Sequence, residues 1–124
     1  MNRLEPQHPT CSHPADYRVE THPWGELVWM VSGALGTSEK LTVGRCYINP
    51  GQANPRHYHP NCDEVLYVLR GTIEHTVDDD AFPMQAGDTV SIPSGSYHNA
   101  RNVGTEVAEF VITFDAADRR TVGE

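Results

Sequence analysis

The sequence predicts an all-β fold, either a sandwich or a barrel, and three observations support this. Apolar and β-branched residues occur in short runs of about four to nine residues, which is the length of strands. Most runs end at glycine or proline, as at Pro50-Gly51 and Gly71, which is typical of turns between strands. No segment shows a convincing helical pattern. Short strands at this spacing are typical of a sandwich or a barrel.

The first four of these runs occupy the chain up to its acidic turn at residues 78–80. Residues 26–33 (ELVWMVSG) are apolar and end in glycine, and residues 41–49 (LTVGRCYIN) stop before Pro50-Gly51. Residues 64–71 (EVLYVLRG) alternate, so that Glu64, Leu66 and Val68 share one face, which we expect to point inward. Residues 72–77 (TIEHTV) end at the acidic turn.

Three more strands are predicted in the last third of the chain. Residues 88–93 (DTVSIP) stop at proline, and residues 96–103 (SYHNARNV) stop before Gly104. In residues 106–114 (EVAEFVITF), the large apolar side chains at positions 110, 112 and 114 alternate with smaller or polar ones. This period of two predicts a strand with one buried face.

A chain of 124 residues is long enough for one domain with a single core. Residues 1–21 contain prolines and little periodic hydrophobicity, which predicts an extended N-terminal arm. The barrel is then expected over residues 22–115, and residues 116–124 form a polar C-terminal tail that is either a short helix or frayed. Because the apolar strand Leu27–Val31 follows the arm, we expect this region to pair with a second copy in a homodimer.

Composition and charge limit the binding partners and the cellular compartment that we expect for this protein. The formal net charge of −8 makes nucleic acid and anionic membranes unfavourable partners, so we expect neither. The three cysteines, Cys11, Cys46 and Cys62, show no framework spacing, and the N-terminus has no apolar signal segment. No run approaches the roughly 18 apolar residues of a membrane span. These features favour a cytoplasmic protein.

The segment RHYHPNCDE at residues 56–64 holds two histidines separated by one residue. On a strand, residues i and i+2 point to the same face, whereas on a helix they diverge by about 200°. The segment therefore predicts a strand that directs His57 and His59 toward one point, with Glu64 following on the same inner side.

The histidine pair belongs to a longer pattern made of two motifs. In the first, His57, His59 and Glu64 stand between Gly51 and Gly71, and in the second, His98 is surrounded by Gly87, Pro93, Gly95 and Asn102. Ten positions and their separations resemble the two motifs of the cupin superfamily, over roughly residues 41–114. The resemblance implies a small single-domain cupin, which is a double-stranded β-helix of the jelly-roll type. It also implies a metal held by His57, His59, Glu64 and His98.

The ligand types support a metal independently. Three imidazoles and one carboxylate leave positions open on an ion that prefers six ligands. Such an open set is typical of a catalytic site, since structural zinc fills four positions, usually with cysteine. We expect one divalent transition metal per chain, either iron, manganese, nickel, cobalt or zinc. The alternative is a degenerate cupin that holds its histidines by hydrogen bonds alone.

A weaker resemblance links the segment NPRHYHPNCDE to germin-like and oxalate-handling cupins. In these proteins an Asn-Pro-Pro-His run opens the metal-binding strand, so Asn54 falls on the family's asparagine while Arg56 replaces the second proline. The resemblance implies that Asn54 contacts a small carboxylate, and a turn role is the alternative. With Tyr47, which acts only if it points inward, Asn54 is a candidate catalytic residue.

Other polar side chains are not expected to take part in the metal site. If His57 and His59 face inward, Arg56 and Tyr58 face the other side of the sheet. His75 lies outside both motifs beside an acidic turn, and we expect it to be exposed. Cys62 is expected to be a bystander thiol rather than a redox-active one.

Three classes of function remain open from the sequence. The leading one is an enzyme that uses the metal for oxygenase, oxidase or decarboxylase chemistry on a small carboxylate- or enediol-bearing molecule. The alternatives are a metal-dependent isomerase or lyase of sugars or organic acids, and a non-catalytic binding protein. In each case we expect a small, anionic ligand, because a divalent ion with one carboxylate ligand keeps a net positive charge.

Overall fold

A computed structural model describes residues 9–124, so residues 1–8 of the predicted arm lie outside the described part of the chain. After a short 3-10 helix at Pro14–Asp16, the chain is built from strands. The strands are β1 (Arg18–His22), β2 (Gly25–Val31), β3 (Thr42–Ile48), β4 (His57–Tyr58), β5 (Glu64–Arg70), β6 (Thr72–Val77), β7 (Asp80–Gln85), β8 (Thr89–Ile92), β9 (His98–Asn102), β10 (Ala108–Phe114) and β11 (Val122–Gly123).

The strands form two antiparallel sheets. The larger has the order β1-β2-β3-β10-β5-β8, and the smaller has the order β11-β4-β9-β6-β7. Along β3 and β10, buried and partly exposed side chains alternate, as expected for sheets with one buried face. The predicted all-β fold is confirmed, and it consists of two packed sheets.

The core lies between the two sheets. The larger sheet contributes Ile48, Val68 and Phe110, and the smaller sheet contributes Ile73 and Ala100. In β5, Glu64, Leu66 and Val68 are buried while the residues between them are exposed, as the alternation predicts. A carboxylate at the first inward position of β5 is thus placed at the end of an apolar core.

The turn between β5 and β6 shows why glycine stands at position 71. Gly71 has a φ of 90°, in the region that favours glycine. A Cβ atom there would also lie 2.9 Å from the Cα of Ala108, so a side chain has no room. The glycine lets β5 turn directly into β6 and cross from one sheet to the other.

The structure extends the barrel at both ends of the predicted boundaries. β1 begins at Arg18 and pairs with β2 of the same chain, so the boundary predicted at residue 21 falls inside a strand. β2 lies between β1 and β3, and its backbone is therefore already paired on both edges. In the predicted C-terminal tail, β11 pairs with β4, so this segment forms neither a helix nor a frayed end.

The strand β7 was not predicted, because its sequence DAFPMQ begins with aspartate and contains proline. Proline is tolerated because β7 is an edge strand of the smaller sheet. Among residues 9–124, no helix is long and apolar enough to cross a membrane.

Candidate metal centre

The structure brings together the four side chains that the two motifs single out. His57, His59, Glu64 and His98 each offer one ligand atom, and these atoms all lie within 4.8 Å of one another. His57 in β4 is paired directly with His98 in β9, and Glu64 is the first residue of β5. The site therefore joins the end of the larger sheet to the middle of the smaller one.

The loop between His59 and Glu64 is tied to the turn that precedes His98. The His59 carbonyl accepts hydrogen bonds from the Gly95 backbone N–H, at 3.0 Å, and from the Ser94 hydroxyl, at 3.0 Å. The Asp63 carboxylate accepts another from the Ser94 N–H at 2.8 Å. The two motifs, which are far apart in sequence, are thereby held in register at the site.

The ring orientation of each histidine is set by one backbone carbonyl. Nδ1 lies 2.7 Å from the Pro55 carbonyl in His57, 2.8 Å from the Arg120 carbonyl in His59 and 2.9 Å from the Ser96 carbonyl in His98. A carbonyl oxygen only accepts, so each Nδ1 carries a hydrogen. In the neutral ring, Nε2 then presents its lone pair to the centre of the group.

These lone pairs and the Glu64 carboxylate face one another, and a cation placed between them would stabilise this arrangement. Oε1 of Glu64 lies 3.0 Å from Nε2 of His98 and 3.2 Å from Nε2 of His59. Nε2 of His59 is buried and makes no hydrogen bond with any residue of the described range 9–124. Acceptors that face one another without a hydrogen between them repel, and either protonation of an imidazole or a bound metal ion removes the repulsion. The donor set therefore fits a divalent metal.

The acid–base properties reflect this grouping in the metal-free protein. Burial raises the pKa of Glu64, but the contacts with His59 and His98 outweigh it and bring the pKa to about 2. Burial lowers the pKa of His57 to about 4. Burial also lowers the pKa of His98, yet its hydrogen bond to Glu64 outweighs burial and leaves this pKa raised. In the absence of metal, His98 thus holds a proton for Glu64 more readily than His57 does.

The four side chains line a cavity of about 360 Å³, which lies at the small end of the range for ligand sites. Its apolar wall includes Leu27, Leu66, Phe110 and Ile112. Polar groups outside the metal centre also reach the cavity, and they are His22, Glu20, Asn54, Arg56, His75, Asn99, Arg119 and Thr121. The site can therefore hold a small molecule with both polar and apolar parts.

Tyr47, one of the two candidate catalytic residues, lies outside the cavity. It points away from the core, and its hydroxyl donates to Glu109 at 3.2 Å. Asn54 lines the cavity, and its side-chain oxygen accepts from the Ala100 N–H at 2.8 Å. Asn54 thus has a structural role at the cavity, whereas the condition set for Tyr47, an inward direction, is not met.

The expectation that His75 is exposed was wrong. His75 has only 1% of its surface exposed, and it lines the cavity beside His98, with ring centroids 6.1 Å apart. Its Nδ1 is buried and has no hydrogen-bond partner in the part of the chain that the structure describes. The signal was present in the sequence, because residue 75 shares a strand face with the apolar Ile73, two positions earlier.

Two arginines at the cavity were not predicted there. Arg56 lines the cavity and donates to the Thr76 hydroxyl at 3.1 Å and to the Asp78 carbonyl at 2.8 Å. Arg119 lies in the segment predicted as a polar tail, and no local pattern indicates that this segment returns to the cavity. Cys62 is a buried thiol whose pKa burial raises to about 11, so it stays protonated at neutral pH, as expected for a bystander.

Comparison with known proteins places the fold and the motifs in one family. The chain is 38% identical over 69 residues to the polyketide synthase CurC of Streptomyces cyaneus, covering 56% of this chain and 45% of that protein. It is 35% identical over 96 residues to germin-like protein 3-5 of Oryza sativa subsp. japonica, covering 71% of this chain and 40% of that protein. The chain thus spans less than half the length of these two curated relatives.

Among solved structures, the oxalate decarboxylase of Lactobacillus farciminis, as a formate complex, matches with a TM-score of 0.82. The match covers 90% of this chain and 34% of that chain at 23% identity, so it shows a shared fold. The family model described as a cupin domain matches residues 44–114, which is more than half of the chain and includes all four converging side chains. The chain therefore belongs to the cupin family.

Proposed function

We propose that the protein is an enzyme that holds one divalent transition metal per chain on His57, His59, Glu64 and His98. The observation that carries the proposal is the convergence of three Nε2 lone pairs and one carboxylate, within 4.8 Å of one another, in the wall of a cavity. Iron, manganese, nickel and cobalt suit this ligand set, and zinc suits it with expanded coordination. The metal would supply Lewis-acid or electron-transfer chemistry there.

The proposed reaction is oxygenase, oxidase or decarboxylase chemistry on a small carboxylate- or enediol-bearing molecule. The ion with one carboxylate ligand keeps a net positive charge, and this favours an anionic, chelating ligand. Two kinds of relative support the proposed chemistry. An oxalate decarboxylase shares the fold, and germin-like proteins share part of the sequence.

The chain's own side chains contribute exclusion of water and orientation. Leu66, Phe110 and Ile112 are buried at the cavity, and they keep bulk water from the polar centre, where each electrostatic contact is then stronger. The amide nitrogen of Asn54 is the donor that we propose for orienting a substrate oxygen. His75 offers a neutral imidazole on the side of His98, because burial lowers its pKa to about 4.

A substrate screen on metal-reconstituted protein tests this function. The protein would be loaded separately with iron(II), manganese(II), nickel(II), cobalt(II) and zinc(II), and small organic acids, diketones and sugar acids would be supplied with and without oxygen. Oxygen-dependent turnover or release of carbon dioxide supports the proposal. Equally fast anaerobic turnover without carbon dioxide indicates the isomerase or lyase alternative. Metal-linked binding of one compound without turnover indicates a binding protein.

We also propose a homodimer and a cytoplasmic location. The outer face of β5 exposes Val65, Tyr67 and Leu69, which are 46%, 41% and 42% exposed, in a row on one face. A row of apolar side chains on the outside of a sheet favours contact with a second copy of the chain. The three cysteines are free, which supports a reducing compartment.

A further inference from the structure

Arg119 lies in the wall of the cavity but takes no part in the candidate metal centre. Its guanidinium carbon is 4.2 Å from the ring centroid of Trp29 and 5.4 Å from that of Phe114. Phe114 also contacts His59, a residue of the candidate metal centre, and their ring centroids are 5.0 Å apart. Arg119 is therefore separated from a proposed metal ligand by a single aromatic ring.

The guanidinium has no acceptor within residues 9–124. The ion pairs of this part of the chain engage Arg45, Arg56 and Arg70 but not Arg119. Its Nε is buried and makes no hydrogen bond. A partly buried charge without an acceptor is costly, and stacking on an aromatic ring returns only about 0.5–2 kcal/mol. An acceptor supplied by a ligand would remove this cost.

The two carboxylates that act electrostatically on Arg119 do not fill that role. Burial lowers the pKa of Arg119, and Glu64 and Glu20 oppose this from a distance. Glu20 lies 3.5 Å from His22, and Glu64 lies 3.0 Å from His98. Each carboxylate is thus directed to an imidazole, and neither is a hydrogen-bond partner of Arg119.

The cavity that Arg119 lines also has an apolar wall. Cavity-lining side chains with apolar bodies are Trp24, Leu27, Phe110, Ile112 and Phe114. A volume of about 360 Å³ has room for a molecule of the size of a substituted benzene ring. A ligand that reaches both the metal centre and Arg119 would therefore place its apolar part against this wall.

We propose that Arg119 is a specificity-determining residue that binds a carboxylate of the substrate, while other oxygens of the same molecule bind at the metal centre. The substrate class is then a small acid with an apolar, ring-sized body and metal-chelating oxygens at the end remote from the carboxylate. The planar guanidinium suits a carboxylate because it donates two parallel hydrogen bonds. The inference deepens the proposed function, and its metal-bound half depends on that function.

The first test uses metal-free protein and therefore does not depend on the metal or on turnover. Benzoate and its neutral isostere benzamide are titrated at constant ionic strength, and tryptophan fluorescence is followed. Trp29 stacks on Arg119 and Trp24 lines the cavity, so both tryptophans of the chain report on binding there. We expect benzoate to bind about tenfold more tightly than benzamide.

Three variants test whether Arg119 causes the preference for benzoate over benzamide. In Arg119→Gln the ratio of benzoate to benzamide affinity falls to about one. Arg119→Lys keeps the positive charge but not the two parallel N–H donors, and it restores part of the ratio. Arg70→Gln is the matched control, because it removes one positive charge from an exposed side chain on the outside of the barrel. We expect this control to keep the wild-type ratio. Circular dichroism checks that each variant is folded.

The second test uses the metal-loaded protein with 3,4-dihydroxybenzoate and 3,4-dihydroxybenzamide, measured by calorimetry. The acid should bind about tenfold more tightly than the amide in the wild type and equally well in Arg119→Gln, while the amide binds both proteins alike. A wild-type ratio near one in both tests, or a ratio that survives Arg119→Gln, overturns the inference. If the protein binds no metal but the first test succeeds, the proposed function fails and the carboxylate site stands.

Discussion

Each imidazole of the candidate metal centre is oriented by a main-chain carbonyl rather than by a carboxylate side chain. The carbonyls belong to Pro55, Arg120 and Ser96, and all three fix the same tautomer. Two of them lie two residues before the histidine that they orient, so the local turn sets the ring. The third comes from the C-terminal segment, so only His59 has its Nδ1 partner in a distant part of the chain.

At the scale of single residues, the metal prediction is tested by removing imidazoles. The double variant His57→Ala, His98→Ala should contain no stoichiometric metal, because two of four ligands are lost. Elemental analysis of protein purified without added metal measures this, and metal should raise the melting temperature of the wild type but not of the double variant. His13→Ala, which removes an exposed histidine, is the control. Full occupancy in the double variant contradicts the assignment.

His75 gives a second prediction at this scale, on pH and stability. Burial lowers its pKa to about 4, while the unfolded chain has a value near 6.5. Between these values the unfolded state binds more protons, so stability falls as the pH drops from about 6.5 to 4. His75→Phe, which keeps an aromatic ring beside Phe82, should reduce the loss in metal-free protein by about 2 kcal/mol.

Urea unfolding of both proteins at pH 7 and pH 4.5 measures this difference. His57, whose pKa is also lowered to about 4, keeps some of the pH dependence in the variant. The same decline in unfolding free energy in both proteins would show that His75 is not held neutral in the folded state.

At the scale of elements, the C-terminal segment closes one side of the barrel. β11 pairs with β4, the Ala117 carbonyl accepts from the Gly33 N–H, and the Arg120 carbonyl orients His59. Asn61 connects this segment to the metal-binding loop, because its side chain accepts from the Arg120 N–H at 2.8 Å and donates to the Asp118 carbonyl at 3.1 Å. The segment therefore acts on the site through His59.

Replacing this connection should weaken metal binding without removing a ligand. In Asn61→Ala, the Arg120 carbonyl is less firmly held and metal affinity is expected to fall about 10-fold, at the low end for groups that orient ligands. Unfolding free energy should fall by about 1–2 kcal/mol. Competition with a chelator gives the affinity, and Asn49→Ala, an exposed asparagine, is the matched control. Unchanged metal affinity in Asn61→Ala would show that the C-terminal segment does not influence the metal centre.

What the sequence predicted and missed follows from the range of the interactions. The four converging side chains were predictable because each motif is local and the spacing of strand residues sets their direction. β7 was missed because aspartate and proline hide an edge strand, and Arg119 was missed because its place depends on Trp29, far away in sequence. Such a contact leaves no periodic signal in either segment.

At the scale of the whole molecule, the outside of the larger sheet differs from an ordinary solvated surface. Beside the apolar row on β5, Glu109 of β10 lies between Arg45 and Arg70, at 3.5 Å and 3.8 Å. An apolar row flanked by charged groups resembles the core and rim of an interface. β2, in contrast, is paired on both edges within the chain, so strand pairing between the N-terminal region and a second copy would have to use the edge strand β1.

We therefore expect dimerisation to depend on the outer face of β5. Tyr67→Lys with Leu69→Lys should weaken the dimer at least tenfold, because charged side chains would be buried at the centre of the contact. Light scattering over micromolar concentrations measures the mass, and Leu41→Lys, which charges an exposed leucine in another part of the chain, should leave it unchanged. Both substituted residues point away from the core, so the variant should remain folded and should still bind metal. A wild-type protein that is monomeric throughout this range, or a double variant that dimerises as the wild type does, would exclude this face as the interface.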